Sequence, residues 1–253
     1  MGAPAGRGRG FGLSRLDPVL VIVPTYQERE NIEEIVDILF AAVDEHVHLL
    51  VIDDGSPDGT AQAARIAGRR SGRTEVMERA RKQGLASAYI AGFRWAMERK
   101  YEAVVEMDAD LSHDPRVVPE LLAALENADL VIGSRYVAGG RIENWGLFRR
   151  LLSRAGNLYA RMWLGWGVRD STSGFRAYRC SALAAQDLAT VNSEGYVFQI
   201  EMTCRVHFGR GRINEVPITF TERRAGKSKL DRGVVIEALW RVPLWAVRNR
   251  MRR

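Results

Sequence analysis

Cysteine is nearly absent: Cys180 and Cys204 are the only two in 253 residues. That is too few to staple a fold, and it suits a reducing compartment. Long hydrophobic runs are missing too, since no stretch approaches the roughly 18 uninterrupted apolar residues of a membrane span. The opening segment, Met1 to Gly10, is rich in glycine and arginine and has no apolar stretch, so it is no secretory signal. Histidine is scarce; His46, His48 and His207 stand alone and suit structural or exposed positions, and His113 can do no more than support its acidic neighbours. Acid is in deficit: 37 Lys and Arg against 31 Asp and Glu leave a charge of +6, which favours phosphate-rich partners without saying which kind. What is present in ordinary measure, 46% hydrophobic and 27% charged residues, excludes wholesale disorder and collagen-like structure. A chain of this length buries a core without metal or disulfide. It is expected to be cytosolic, or held at a membrane surface without crossing it.

From residue 19 short β-branched runs alternate with helical periods. Val19-Leu20-Val21-Ile22-Val23 reads as a strand buried on both faces. Ile32, Ile35, Val36, Leu39 and Val43 follow at helical spacing. Leu49 to Ile52 is a second strand, running into the turn cluster Asp53 to Gly59. A helix over 60–70, a strand near 74–77, a helix over 84–99 and strands at 103–107 and 129–133 continue the pattern. Beyond 140 it loosens, with a helix at 149–164 and a strand at 213–220. The reading is an α/β fold with a mainly parallel sheet, in which ligands sit beyond the carboxyl ends of strands. Residues 1–17 form a flexible tail, 18–231 a single domain, and 232–253 a basic, Trp-containing helix. That last helix, with Trp240 and Trp245 among arginines, reads either as an amphipathic element lying in a bilayer interface or as a helix packed on the core with a solvated Arg face.

Three polar clusters follow strands. Asp108-Ala109-Asp110 at a strand end can chelate a hard divalent cation, or simply close the strand in a turn. Asp53-Asp54-Gly55-Ser56 suits hydrogen bonds to a nucleobase or ribose, with Gly55 permitting close backbone approach; a turn with a helix cap, or a phosphoaspartate site at Asp53, are the other readings. Arg223-Arg224-Ala225-Gly226-Lys227-Ser228-Lys229 is either a solvated loop or a set of phosphate contacts. Arg135 follows a strand, and Arg149 and Ser153 are four apart on one helix face. These three can hold a second anion or form an ordinary basic surface.

The segments Pro24-Thr25-Tyr26-Gln27-Glu28-Arg29-Glu30-Asn31, Asp53 to Thr60, Met107 to His113, Gly133-Ser134-Arg135-Tyr136, Ser173-Gly174-Phe175-Arg176, Gly195-Tyr196-Val197-Phe198 and the run from Glu215 to Leu230 stand in one order. In these the chain resembles the family 2 glycosyltransferases of GT-A fold, and within them the dolichol- or polyprenol-phosphate mannosyltransferases lacking transmembrane helices. The resemblance implies a Rossmann-like, mainly parallel sheet flanked by helices. It implies GDP-mannose across Pro24, Tyr26, Glu28, Asp53, Asp54 and Ala109, with Mg²⁺ or Mn²⁺ on its diphosphate held by Asp108 and Asp110. Arg223 and Lys229 would neutralise that diphosphate, and Arg135, Arg149 and Ser153 would cradle the polyprenyl phosphate. Attack by the acceptor phosphate would invert the anomeric carbon. Ser112 stands where some relatives carry Gln, a departure at a third side-chain ligand. The implied setting is peripheral, on the cytoplasmic membrane surface, docked by the C-terminal segment or by a separate or formerly fused transmembrane partner, with no nucleic acid. A sibling transferase using UDP-glucose or another nucleotide sugar on the same type of lipid, and a silent basic module for membrane or nucleic acid, are the competing readings.

Overall fold

The computed structural model describes residues 16–222 and 232–250. In chain order the strands are β1 (Val19–Thr25), β2 (Val47–Asp53), β3 (Thr74–Glu78), β4 (Ala103–Glu106), β5 (Leu130–Ser134), β6 (Arg141–Glu143), β7 (Arg176–Arg179), β8 (Ile213–Pro217) and β9 (Thr219–Thr221). The helices are α1 (Arg29–Ala42), α2 (Thr60–Gly68), α3 (Leu85–Glu98), α4 (Val118–Leu125), α5 (Leu147–Leu164), α6 (Cys180–Ala184), α7 (Gly195–Phe208) and α8 (Arg232–Arg250). Seven strands form one sheet in the order β3-β2-β1-β4-β7-β5-β8, and β6 pairs with β9 apart from it.

Strand β1 shows why the sheet sits where it does. Val19, Val21 and Val23 enter a core with Ile32, Ile35, Val36 and Leu39 of α1, while Leu20 and Ile22 enter the opposite core with Tyr89 and Phe93 of α3. A strand wholly apolar on both faces is stable only between two helical layers, and each such side chain contributes about 1.5–3 kcal/mol of burial. Every sheet pairing is parallel except those of β7, which runs antiparallel between β4 and β5. The expected mainly parallel α/β sheet is present, with this one reversal unforeseen. The strand expected over 213–220 divides instead. Pro217, with no N–H to donate, ends β8, and the chain leaves to pair Thr219 with Arg141. Helix α7 carries no helical stripe because Val197 to Cys204 are buried all round. Helix α8 is not apolar on one side only: Val242 and Ala246 are buried, while Ile236, Leu239, Trp240 and Val247 are exposed. Part of the helix thus packs on the core through Val242 and Ala246.

One polar network crosses the sheet interior. Glu106 of β4 faces Arg176 of β7 across the ladder, and both are fully buried. Arg176 donates to the carbonyls of Ser173 (2.6 Å), Ser171 (2.7 Å) and Gln199 (2.8 Å) and to Thr203 Oγ1 (2.8 Å). Glu106 accepts from Gln199 Nε2 at 2.9 Å. Burial pushes its carboxyl up to about 8, against the pull of Arg176. The unfolded carboxyl ionises near 4.5, so between these values the folded chain holds a proton that the unfolded chain has lost. Its stabilising share is full below about pH 4.5 and is lost as pH climbs to about 8. Glu106→Gln removes that slope. Its melting temperature should gain on the wild type as pH rises from about 5 to about 8; a pH-independent difference between the two would refute a neutral Glu106.

Candidate active site

The carboxyl ends of β1, β2 and β4 lie on one sheet edge, where the parallel register sets Thr25 beside Asp53 and Ile22 beside Glu106. Asp53 is buried and takes hydrogen bonds from Thr25 Oγ1 (3.0 Å), Ser56 Oγ (2.6 Å) and Ser56 N–H (2.8 Å). Asp54 pairs with the buried Arg79 and accepts from the N–H groups of Gln83 and Gly84, each at 3.0 Å. The two acids thus organise the loops that wall this edge. Gly55, at φ +74°, makes the tight turn between them, where a Cβ would lie 3.1 Å from Arg79 O. Tyr26, at the end of β1, carries the Lys82 ammonium 3.8 Å from its ring centre. Glu28 accepts from Asn31 Nδ2 at 2.8 Å and caps the neighbouring loop through its N–H to Thr60 Oγ1 (3.0 Å). Pro24 is half-buried beneath them. Arg79 and Lys82 escaped the sequence reading, since their partners, Asp54 and the Tyr26 ring, lie on other elements.

Asp108, Ala109 and Asp110 follow β4 at the same edge. Leu111 next to them sits at φ +58°, a left-handed conformation that costs a non-glycine residue about 1–3 kcal/mol and gathers at functional turns. Tyr89 Oη donates to Asp108 Oδ1 at 3.4 Å, and the Asp108 N–H donates to His113 Nδ1 at 3.2 Å. His113 is buried with its ring stacked 5.0 Å from that of Phe175. Desolvation holds its imidazole below the ordinary range, with Asp108 and Asp110 working against it. Nδ1 accepts, so the ring proton is on Nε2. Asp110 Oδ1 accepts from Ser112 N–H at 3.1 Å.

The residues present fit a hard divalent cation. A Cβ on Gly174 would come into van der Waals contact with Asp108 Oδ2, at 3.6 Å, so glycine there keeps side-chain bulk away from that carboxylate. The buried Ser112 hydroxyl has no described partner, an uncommitted oxygen beside Asp110. Among the described residues no three His, Cys, Asp or Glu side chains gather. Two carboxylates with the remaining positions left to phosphate oxygens and water is a familiar arrangement for Mg²⁺.

A second cluster stands alongside. Arg135, just past β5, is buried and donates to both oxygens of Asp170, at 2.7 and 2.6 Å, and to Thr172 Oγ1 at 2.8 Å. Burial opposes it, yet the Arg135 charge and hydrogen bonds hold Asp170 below the usual carboxylate range. Arg149 pairs with Glu222 at 2.7 Å and lies 4.0 Å over the Trp145 ring. Ser153 accepts from Tyr136 Oη at 2.8 Å, leaving its own O–H to donate elsewhere. Arg135, Arg149 and Ser153 line one cavity of about 370 Å³, whose walls include Tyr159, Val197, Ile200, Leu239 and Val242 from α5, α7 and α8. The structure therefore brings these three together, at the polar end of an apolar pocket. Phe220 links the two clusters: its ring centre is 5.5 Å from His113, 5.3 Å from Trp145 and 5.5 Å from the Arg135 guanidinium. Arg223 and Lys229 lie outside the described residues. Asp170 and Phe220 escaped the sequence reading because each acts through contacts distant in the chain.

Residues 20–185 match the profile of glycosyl transferase family 2. The chain belongs to that family. It is 46% identical over 260 aligned residues to polyprenol monophosphomannose synthase of Mycolicibacterium smegmatis, covering 100% of this chain and 98% of that protein. It is 48% identical to undecaprenyl-phosphate mannosyltransferase of Micrococcus luteus, covering 92% and 95%. Dolichol-phosphate mannosyltransferase of Pyrococcus furiosus is 37% identical, over 87% of this chain and 61% of that one. Among solved structures, glucosyl-3-phosphoglycerate synthase of Mycobacterium tuberculosis, in complex with Mn²⁺, UDP-glucose and phosphoglyceric acid, superposes with a TM-score of 0.69. That protein is 23% identical, and the match covers 95% of this chain and 86% of it. The likeness shows the expected GT-A-type fold.

Asp170→Ala would leave Arg135 a buried cation without its partner, a change expected to cost about 3–5 kcal/mol. Arg65→Ala, which breaks an exposed pair with Glu78, should cost at most about 1 kcal/mol. Urea midpoints of the two variants measure this; equal shifts would show that the Asp170 pair holds no more than a surface contact.

Proposed function

We propose that this family 2 glycosyltransferase moves mannose from GDP-mannose to a polyprenyl monophosphate, with inversion at the anomeric carbon. The observation that carries the reading is the shape of the second cluster. Cations and a hydroxyl stand at the head of an apolar cavity, and Phe220 ties that head to the Asp108 carboxylate site. Such a cavity suits a molecule with an anionic head and a long apolar tail. The names of the M. smegmatis and M. luteus relatives point to the same acceptor class and to mannose.

In this reading the nucleotide lies along Pro24, Tyr26, Glu28, Asp53, Asp54 and Ala109. Asp108 and Asp110 would hold Mg²⁺ or Mn²⁺, which when bound would supply Lewis-acid stabilisation of the leaving diphosphate. Arg223 and Lys229 add positive charge on the same diphosphate. Arg135 and Arg149, with Ser153 donating, orient the acceptor phosphate. That phosphate is already anionic, so attack needs no general base, and the burden falls on positioning and charge stabilisation. The tail of the acceptor lies in a bilayer, so the chain works peripherally at the cytoplasmic membrane surface. No helix among the described residues is long and apolar enough to cross it, and a separate or fused membrane partner is compatible with that placement.

The test is transfer of labelled mannose from GDP-mannose to a short polyprenyl phosphate, with the label followed into the organic phase. Metal-dependent label is expected, falling by at least about 100-fold in Asp110→Ala. Label from UDP-glucose alone would overturn the donor; full activity in Asp110→Ala, or without divalent metal, would overturn the site.

A further inference from the structure

A second basic basin adjoins the acceptor head, sharing Arg135 with it, and opens on another face of α5. It has a volume of about 570 Å³ and is lined by Arg135, Tyr136, Arg154, Asn157, Arg161 and Arg169. Arg135 is buried and gives Nε and Nη2 to Asp170, but Arg154, Arg161 and Arg169 are exposed, and among the described residues none of the three has a carboxylate partner. The acids nearby are engaged: Asp170 by Arg135, and Glu215 by the backbone N–H groups of Arg169 (2.8 Å) and Asp170 (2.9 Å). Arg154 lies 5.8 Å from the Tyr136 ring centre, which holds its head towards the basin.

The same helix carries the other half of the feature. At 100° per residue, Leu147, Leu151, Leu158 and Met162 fall on one stripe of α5, with Arg154 and Arg161 along its flank. These apolar side chains are exposed, Leu147 by 76% and Met162 by 73%. An apolar stripe edged by uncompensated arginines complements one surface above others, a bilayer interface carrying anionic headgroups.

We infer that α5 seats the protein on the membrane and that the Arg154–Arg161–Arg169 basin takes the phosphate of an anionic phospholipid headgroup. The inference rests on the lipid-acceptor reading only for the orientation of the cavity mouth towards the bilayer. It is tested without donor or acceptor, so its failure is distinct from a failure of mannose transfer.

The full chain is sedimented with vesicles of phosphatidylcholine and with vesicles in which a third of the lipid is phosphatidylglycerol. The wild type should prefer the anionic vesicles. Arg154→Gln, Arg161→Gln and Arg169→Gln together should lose that preference by about 100-fold, or about 5-fold per arginine. Binding to phosphatidylcholine, and transfer to a short acceptor in detergent, should be unchanged in that variant. Leu147→Ser with Leu151→Ser should weaken binding to both vesicle types. Equal binding of wild type and triple variant to anionic vesicles would overturn the assignment. So would stabilisation by inorganic phosphate over chloride at equal ionic strength with no vesicle preference, which would mark a site for soluble phosphate.

Discussion

The burial of β1, β2 and β4 on both faces governs where anything polar can stand. An unpaired carboxylate inside such a sheet is costly, so along these strands the acids wait for the carboxyl ends. The parallel register then delivers Thr25, Asp53 and Asp108 to one edge. Reversal of β7 brings a fourth contribution to the same edge. Because that strand enters from the opposite direction, its leading loop, with Asp170, Thr172 and Gly174, arrives where the other strands end. A parallel strand in that position would have sent this loop to the far side of the sheet.

Two buried arginines fix that loop, by different chemistry. Arg176 has its guanidinium surrounded by carbonyl and hydroxyl oxygens of Ser171, Ser173, Gln199 and Thr203, which tie the loop to α7. Arg135 instead has a full carboxylate partner in Asp170. A buried pair of this kind is poor evidence of net stability, since desolvation offsets most of the attraction. Its consequence is orientation: with Nε and Nη2 committed, the guanidinium plane is set before any ligand arrives. Preorganised charge of that sort need not reorganise when a second phosphate is bound.

Much of the fold was legible because its signals are local. Val19 to Val23, the Ile32–Leu39 stripe and the strand-end acids each declare themselves within one element. What was illegible is what depends on distant partners or on burial without a stripe. Helix α7 is buried all round, so it shows no periodicity; β7, reading Arg-Ala-Tyr-Arg, is too short and polar to announce a central strand. The antiparallel sense of β7 has no local signature at all. In the site, Asp108 and Asp110 could be singled out from sequence, but the commitment of Asp54 to Arg79 could not. The Arg135–Asp170 and Arg149–Glu222 pairs span 35 and 73 residues, beyond any spacing rule. In the C-terminal helix Val242 and Ala246 turn inward while Ile236 and Trp240 stay exposed, a division set by packing against distant elements.

In the proposed reading, helix α5 is the element that meets a lipid acceptor at a membrane surface. Each methylene drawn out of a bilayer into water costs about 0.8 kcal/mol, so a long-tailed acceptor stays in the bilayer and the protein must carry its cations to the surface. The 18 residues of α5 do this by dividing their faces. Arg149 and Ser153 point into the cavity beside Trp145; Asn157, Ala160 and Leu164 lock the helix to the core; Leu147, Leu151, Leu158 and Met162 face outward. Rotating the helix by a single residue, about 100°, would turn the cavity face towards the core and the apolar stripe away from any bilayer. The buried residues therefore constrain more than stability. By fixing the rotation of α5 they fix the angle between the proposed membrane plane and the acceptor head, and so the direction from which a phosphate approaches the Asp108 edge.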